Sequence, residues 1–313
     1  MKLARLLGRV GRVLITAGLL ILAFVAYQLW GTGLQTARAQ NSAEDEFERL
    51  QEEFEEQEGG GNPGPERSTT TTSPEGTPGT TPTTAPEDQP EIPIAPPEGE
   101  IAGRVQIPSI GVDWIFYEGV DLSVLQNGPG HYQGTPLPGQ PGNAGIAGHR
   151  TTYGAPFNRL DEMKSGDEIE ITYITGATFT YEYRSTEIVS PNQVDVRHDK
   201  GDNRLTLTAC HPKYSARERI VVIARLADEP APAAPQQDRR EQPQSFDNDT
   251  EAPPVSKVPA VLWGVAAGMI WLAAWFVGRA WRRWPSYVIA FPAFAVALFV
   301  FFDNFYKLLP AGF

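Results

Sequence analysis

Among its 313 residues the chain holds one cysteine, Cys210, and four histidines. A lone cysteine makes no internal disulfide and no multi-cysteine metal site. His131, His149, His198 and His211 are too scattered for ligand spacing, so the sequence implies neither a metal nor a cofactor. Bases are scarce as well: 26 Lys and Arg stand against 38 Asp and Glu, a formal charge of −12. No basic face is left for nucleic acid, which is excluded as a partner. Helical periodicity is nearly missing from the middle of the chain, where short alternating runs dominate.

What the chain does have is apolar runs at both ends. Lys2, Arg5, Arg9 and Arg12 precede the run Val13 to Trp30, which reads as an uncleaved signal anchor. Ala37-Arg38-Ala39 resembles a small-residue cleavage site, but it lies well beyond the run. Val258 to Val277 and Tyr287 to Phe302 are two further runs, the second carrying Pro292 and barely long enough to span. Arg279, Arg282 and Arg283 lie between them and mark a cytoplasmic loop, as the first basic cluster marks a cytoplasmic N-terminus. The expectation is a multi-pass protein of the cell membrane with its middle and its C-terminus outside. Trp263, Trp281, Trp284 and Tyr306 fit interfacial positions.

Composition divides the rest. Residues 1–40 are a basic segment and anchor helix. Residues 41–99 hold an acidic stretch and a Thr/Pro-rich tether, 228–257 a Pro/Gln-rich tether, and 258–313 an apolar hairpin. The tethers cannot bury enough apolar surface to fold and read as disordered. Phe47, Leu50 and Phe54 recur at helical spacing between Glu44 and Glu58, which predicts a short amphipathic helix or a solvated juxtamembrane spacer. The remaining stretch, 100–227, is one β domain. Ala102–Pro108, Asp167–Ile174, Thr178–Arg184, Glu187–Val189, Arg204–Thr208 and Arg219–Leu226 read as strands, and Thr175-Gly-Ala177 as a hairpin turn. Ser123–Asn127 and Pro156–Glu162 read as short helical turns. Six to eight strands with few helices imply a closed barrel or a sandwich.

Cys210 ends one strand-like run, and Arg219 opens the next, nine residues on. By itself the thiol is an inert buried group, a redox group or a nucleophile. His211, Lys213, Arg217 and Arg219 follow closely, and cationic neighbours favour a thiolate. Gly142-Asn-Ala-Gly-Ile-Ala-Gly-His149-Arg-Thr crowds small residues around one imidazole, which suits a catalytic acid or base. His211 neighbours Cys210, but successive residues on an extended chain point apart, so it reads as a wall of the site. His131 either lines the site or satisfies a turn, and His198 reads as surface loop. Asp161, Glu162, Asp167 and Glu168 read as a solvated face, not a calcium site.

Three separated motifs now agree in order: Gly128-Pro-Gly-His-Tyr132, Gly142 to Arg150, and Thr206-Leu-Thr-Ala-Cys210 with Arg219. Together they resemble the sortases, membrane-anchored cysteine transpeptidases of Gram-positive bacteria, and within them class E. The resemblance implies a mainly β fold, a closed sortase-type barrel with short helices, over residues 100–227. It implies Cys210 as nucleophile, His149 as general acid and base, and Arg219 as oxyanion donor. His131, Tyr132, Arg150, His211, Tyr214 and Arg217 are the expected substrate-binding residues. The implied partners are secreted proteins with a C-terminal sorting signal of the Leu-Pro-x-Thr-Gly or Leu-Ala-x-Thr-Gly type, a cell-wall precursor amine and the membrane. Where the family usually has Thr before the cysteine, this chain has Ala209, a packing change on the strand face turned away from the thiol. A pilin-polymerising or hydrolytic sortase is the near alternative. A wall-associated membrane protein that only binds is the alternative from another class.

Overall fold

Valine, isoleucine and threonine at alternating positions build strands that close on themselves. The computed structural model describes residues 2–59, 94–193, 196, 198–231, 256–280, 283–306 and 308. Most of both tethers, together with Trp281 and Arg282, lies outside the described residues. Eight strands form a closed barrel in the order β1-β2-β3-β4-β7-β8-β6-β5. They are β1 Ile101–Ile107, β2 Val112–Glu118, β3 Gly130–His131, β4 Asn143–Ala147, β5 Glu168–Thr172, β6 Thr178–Val189, β7 Arg204–His211 and β8 Glu218–Leu226. The pairs β2/β3 and β4/β7 are parallel, and all others are antiparallel.

The barrel differs from the expected strand set in instructive ways. The runs Thr178–Arg184 and Glu187–Val189 are one strand, bent by an irregularity between Tyr183 and Ser185. β3 is two residues long, too short to show alternation. β5 and β6 form the expected hairpin, with Thr172 opposite Thr178. The helical turns are α3, Leu122–Leu125, and a 3-10 turn at Leu160–Glu162.

Alternation along β7 sorts its side chains between two surfaces. Leu205, Leu207 and Ala209 join the central core with Val105, Phe116, Ile146, Ile171, Phe179 and Val222. Thr206, Thr208 and Cys210 point to the other face. That outer face is flanked on one side by Val120, Leu125, Tyr132 and Ala147, beneath the β2–β3 crossover. On the other side stand Val189, Val196 and Val221, beneath the β6–β7 connection. Cys210 therefore lies on the outer side of the barrel wall.

The acidic stretch is not a solvated spacer. Helix α1, Lys2–Ala26, passes through a π-helical turn at Tyr27–Gly31 into α2, Thr32–Gly59. Ala43 and Phe47 of α2 pack on Ile115, Tyr117 and Val124. Gln40 Nε2 donates to the Ile115 and Asn127 carbonyls at 3.0 and 2.9 Å, and Gln40 Oε1 accepts from Ile115 N at 2.9 Å. Gln51 Nε2 donates to Tyr173 O at 3.1 Å. Leu50 and Phe54, expected on the apolar face, are only half-buried. The docking face runs instead through 36, 40, 43, 47 and 51, at helical spacing and largely polar.

At the other end, α4, Val258–Ala280, and α5, Arg283–Tyr306, form the hairpin. Both are long and apolar enough to cross a membrane. Helix α5 continues through Pro292 and is 24 residues long, so the expected marginal run is of full spanning length. Ala260, Ala267, Ala274 and Gly278 are buried on α4, the small-residue seam of closely packed apolar helices. In the N-terminal run, Leu14–Ala26 is a shorter apolar helix.

Candidate active site

The register of the sheet assembles the site. Cys210 lies directly opposite Arg219 in the β7–β8 ladder, and such cross-strand partners share a face. β4 runs parallel to β7 with Ala147 beside Thr208, so His149, two residues on, leaves the sheet next to Cys210. The Gly148 amide donates to the Thr208 carbonyl at 3.0 Å and extends the ladder to the edge of the loop. Gly148 has no room for a side chain: a Cβ there would meet the Phe157 ring at 2.6 Å. The glycine before the histidine thus lets Phe157 fill the space beneath the loop.

Around His149 the backbone is held in an unusual path. Among the described residues, the non-glycine positions of positive φ are Tyr153 (50°), Ala155 (50°) and Tyr214 (66°). The first two flank Gly154 in the loop after His149, and the third is in the β7–β8 loop after Cys210. Such conformations persist only where the surroundings enforce them, and they gather at functional sites. The Tyr153 ring packs on the His149 ring, centroids 5.0 Å apart. His149 Nδ1 faces Thr152 Oγ1 at 3.4 Å. Burial lowers the imidazole pKa from an ordinary 6.5 to about 4, so the ring is neutral at neutral pH.

Among the described residues, the buried side-chain nitrogens and oxygens without a hydrogen-bond partner are His149 Nε2 and His211 Nδ1. Burying an unpaired polar atom costs about 1–3 kcal/mol. Both such atoms lie on imidazoles beside one thiol. Arg219 is 7% exposed, and its Nη1 donates to the Ala216 and Glu218 carbonyls at 2.8 and 3.1 Å. Those contacts fix the direction of the guanidinium. Cys210 is half-buried.

Three of the expected substrate-binding residues are buried and engaged elsewhere. His131 Nδ1 meets Glu118 Oε2 at 2.8 Å, and Nε2 meets Pro136 O at 2.9 Å, so this histidine fastens β3 to β2 and to the following loop. Tyr132 is 3% exposed, and its hydroxyl bonds to Thr208 Oγ1 at 2.9 Å. Arg150 is a brace: Nε donates to Asn158 O at 2.8 Å, Nη1 reaches Cys210 O at 3.5 Å, and Nη2 pairs with Asp161 at 2.7 Å. It ties the His149 loop to the end of β7. All three are bonded within the fold as supports of the site, and for His131 this is the turn-satisfying alternative. Arg217 lies outside β8, which starts at Glu218, so it does not share the face of Arg219; it is exposed, as is Tyr214. His211 is half-buried at the end of β7, and His198 is exposed as expected.

Further supports lie within the Gly142 to Arg150 segment. Asn143 is one: its Nδ2 donates to the Val196 and His198 carbonyls at 2.9 and 3.1 Å, and its Oδ1 accepts from Thr206 Oγ1 at 2.7 Å. It pins the β6–β7 connection over the strand of the cysteine. Nothing but its place among small residues marked it in the sequence. Ala209 is 4% exposed in the core, as the alternation of β7 requires.

Comparison with known proteins decides the family, because residues 105–227 match the Sortase domain model. Residues 105–227 belong to the sortase family. Sortase SrtE1 of Streptomyces coelicolor is 30% identical over 236 residues, 70% of this chain and 57% of that protein. Sortase D of Bacillus subtilis is 33% identical over 120 residues, 37% of this chain and 58% of that protein. The chain thus spans less than three-fifths of the length of either relative. The solved Sortase D5 transpeptidase of Clostridium perfringens is 34% identical, covering 42% of this chain and 81% of that one, at a TM-score of 0.39. The relationship to the SrtE proteins makes this sortase class E-like. Sortases are transpeptidases, and acyl transfer is the reaction kind of the family.

Proposed function

We propose that the protein is a membrane-anchored cysteine transpeptidase that cuts a C-terminal sorting signal between Thr and Gly and passes the acyl group to an amine. The observation that carries this reading is the Cys210–Arg219 cross-strand pair with His149 leaving the neighbouring parallel strand. In the first half-reaction the Cys210 thiol gives its proton to the neutral His149 ring at Nε2. The sulfur adds to the Thr carbonyl carbon, and the oxygen gains negative charge opposite the Arg219 fork. The C–N bond breaks, the departing amine takes the proton from His149, and a thioester remains. In the second half an incoming amine adds to the thioester carbon and loses its proton to His149. The C–S bond breaks and Cys210 regains the proton. Covalent catalysis divides one difficult transfer into two easier ones.

In this reading the acyl donors are secreted proteins with Leu-Ala-x-Thr-Gly or Leu-Pro-x-Thr-Gly signals, and the acceptor is a cell-wall precursor amine. Residues 100–227 are the catalytic domain. Helices α4 and α5 are long and apolar enough to anchor it, and the basic clusters at both ends of the chain support an extracytoplasmic domain on a multi-pass anchor. Incubating the protein with each peptide, with and without an amine acceptor, and weighing the products tests the proposal. Transfer product that appears only with the amine supports transpeptidation. Free Thr carboxylate in both tubes assigns hydrolysis instead.

A further inference from the structure

Strand directions sort the two ends of the barrel. β4 and β7 finish, and β8 begins, at the end that carries His149, Cys210 and Arg219. Thr32 belongs to this same end. Its Oγ1 accepts from the Tyr153 amide at 3.1 Å, in the loop of His149, and a Cβ on Gly33 would sit 3.9 Å from Gly154 N. From there α2 climbs the wall through Thr36 on Gln126 O and Gln40 on Ile115, and reaches Gln51 on Tyr173 O. Tyr173 lies beyond β5 at the opposite end, about 28 Å along the helix at 1.5 Å per residue. The chain enters β1 at that far end, and β8 finishes there.

The apolar helices meet the barrel at the near end. Tyr27 packs on Phe299 and Phe302 of α5, and a Cβ on Gly31 would be 3.3 Å from Phe299. Gly31 directly precedes Thr32. The π-helical turn therefore joins the apolar helices to the catalytic loop with no spacer, while both long tethers attach at the far end.

We infer that the catalytic end of the barrel faces the bilayer and that its β7–β8 loop meets the phospholipid headgroups. This rests on the membrane anchoring proposed above. Tyr214 is 76% exposed in that loop, and its φ of 66° is an unusual conformation for a tyrosine. An aromatic ring with a polar tip suits the membrane–water interface. Leu34, in the first turn of α2 at the same end, is 59% exposed. Arg217 is exposed in the loop beside Glu218, and Lys213 pairs with Asp161. A cation of this kind is drawn to anionic headgroups. Helix α2 acts as a strut that sets the height of the catalytic end, so the scissile bond is met close to the lipid surface.

The test uses the full chain carrying Cys210→Ala, reconstituted in vesicles of phosphatidylcholine and phosphatidylglycerol. A polarity-sensitive fluorophore is attached to a single cysteine, Tyr214→Cys in one sample and Glu100→Cys, at the far end, in another. Headgroup nitroxide lipids then quench the probe. Quenching severalfold stronger at 214 than at 100 is expected. Equal quenching, or stronger quenching at 100, in chains that float with the vesicles overturns the placement alone. Chains that do not float overturn the membrane reading and the placement together.

Discussion

At the scale of single residues, direction matters more than proximity. The Arg219 guanidinium is buried and held by the Ala216 and Glu218 carbonyls, whereas Arg217 is exposed outside the strand. If Arg219 stabilises the oxyanion, Arg219→Lys loses a planar fork that an ammonium cannot copy, and turnover should fall on the order of 10²–10³-fold. Arg217→Lys should cost far less. Peptide kinetics on both variants, with circular dichroism as the folding control, decide it; a worse Arg217→Lys would move the donor. His149 gives a prediction in pH. Burial holds its pKa near 4 in the folded protein, against an ordinary 6.5. Between these values the unfolded chain binds the proton and the folded chain does not, so stability falls as pH drops from about 6.5 toward 4. His149→Gln lacks that group and should lose less stability between about pH 7.5 and about pH 5, read by thermal unfolding. Equal losses would refute the buried, neutral imidazole. The Cys210–Arg219 pairing was legible because the strand runs fix the spacing of the two residues, and His149 drew notice because histidine is scarce here. The supporting bonds of His131, Tyr132 and Arg150 were not legible, because burial is not written in residue type. An arginine bracing a loop and an arginine gripping a substrate look alike in a sequence.

At the scale of elements, α2 is a part of the barrel disguised as a charged spacer. Its docking face was hidden because Thr36, Gln40 and Gln51 are polar, while the expected Leu50 and Phe54 are not its buried positions. Periodicity of apolar residues finds faces that bury hydrocarbon; it misses a helix seated by side-chain amides on backbone groups. Gln40→Ala should break three hydrogen bonds to β2 and the Asn127 carbonyl, at a cost of about 1–3 kcal/mol. Hydrogen exchange at the Ile115 amide should accelerate about tenfold or more, while Glu52→Ala on the exposed side leaves it unchanged. Unchanged exchange in Gln40→Ala would detach the helix from the barrel. β3 escaped notice for a different reason: two residues cannot show a period of two, and its parallel pairing with β2 is set by the short connection through α3, which no strand pattern marks.

At the scale of the whole molecule, the two long apolar helices of the C-terminal end were legible, because hydrocarbon thickness sets a simple length rule. What the sequence withheld was the contact between the two ends, since Tyr27 meets Phe299 across most of the chain. A reporter after Phe313 should be extracytoplasmic and one inserted at Arg279 cytoplasmic; a cytoplasmic C-terminus would mean that α5 does not cross. Class E likeness further predicts faster use of Leu-Ala-x-Thr-Gly than of Leu-Pro-x-Thr-Gly, measured as kcat/KM; equal or reversed rates would place the chain in another class. All of this turns on one atom, the Cys210 sulfur. The most direct measurement is the intact mass of the full chain mixed with a sorting peptide and no amine. A thioester on Cys210 gives a mass increase equal to the peptide fragment ending in Thr, mapped to Cys210 and absent in Cys210→Ala. An adduct elsewhere, or turnover by Cys210→Ala near that of the wild type, would contradict it.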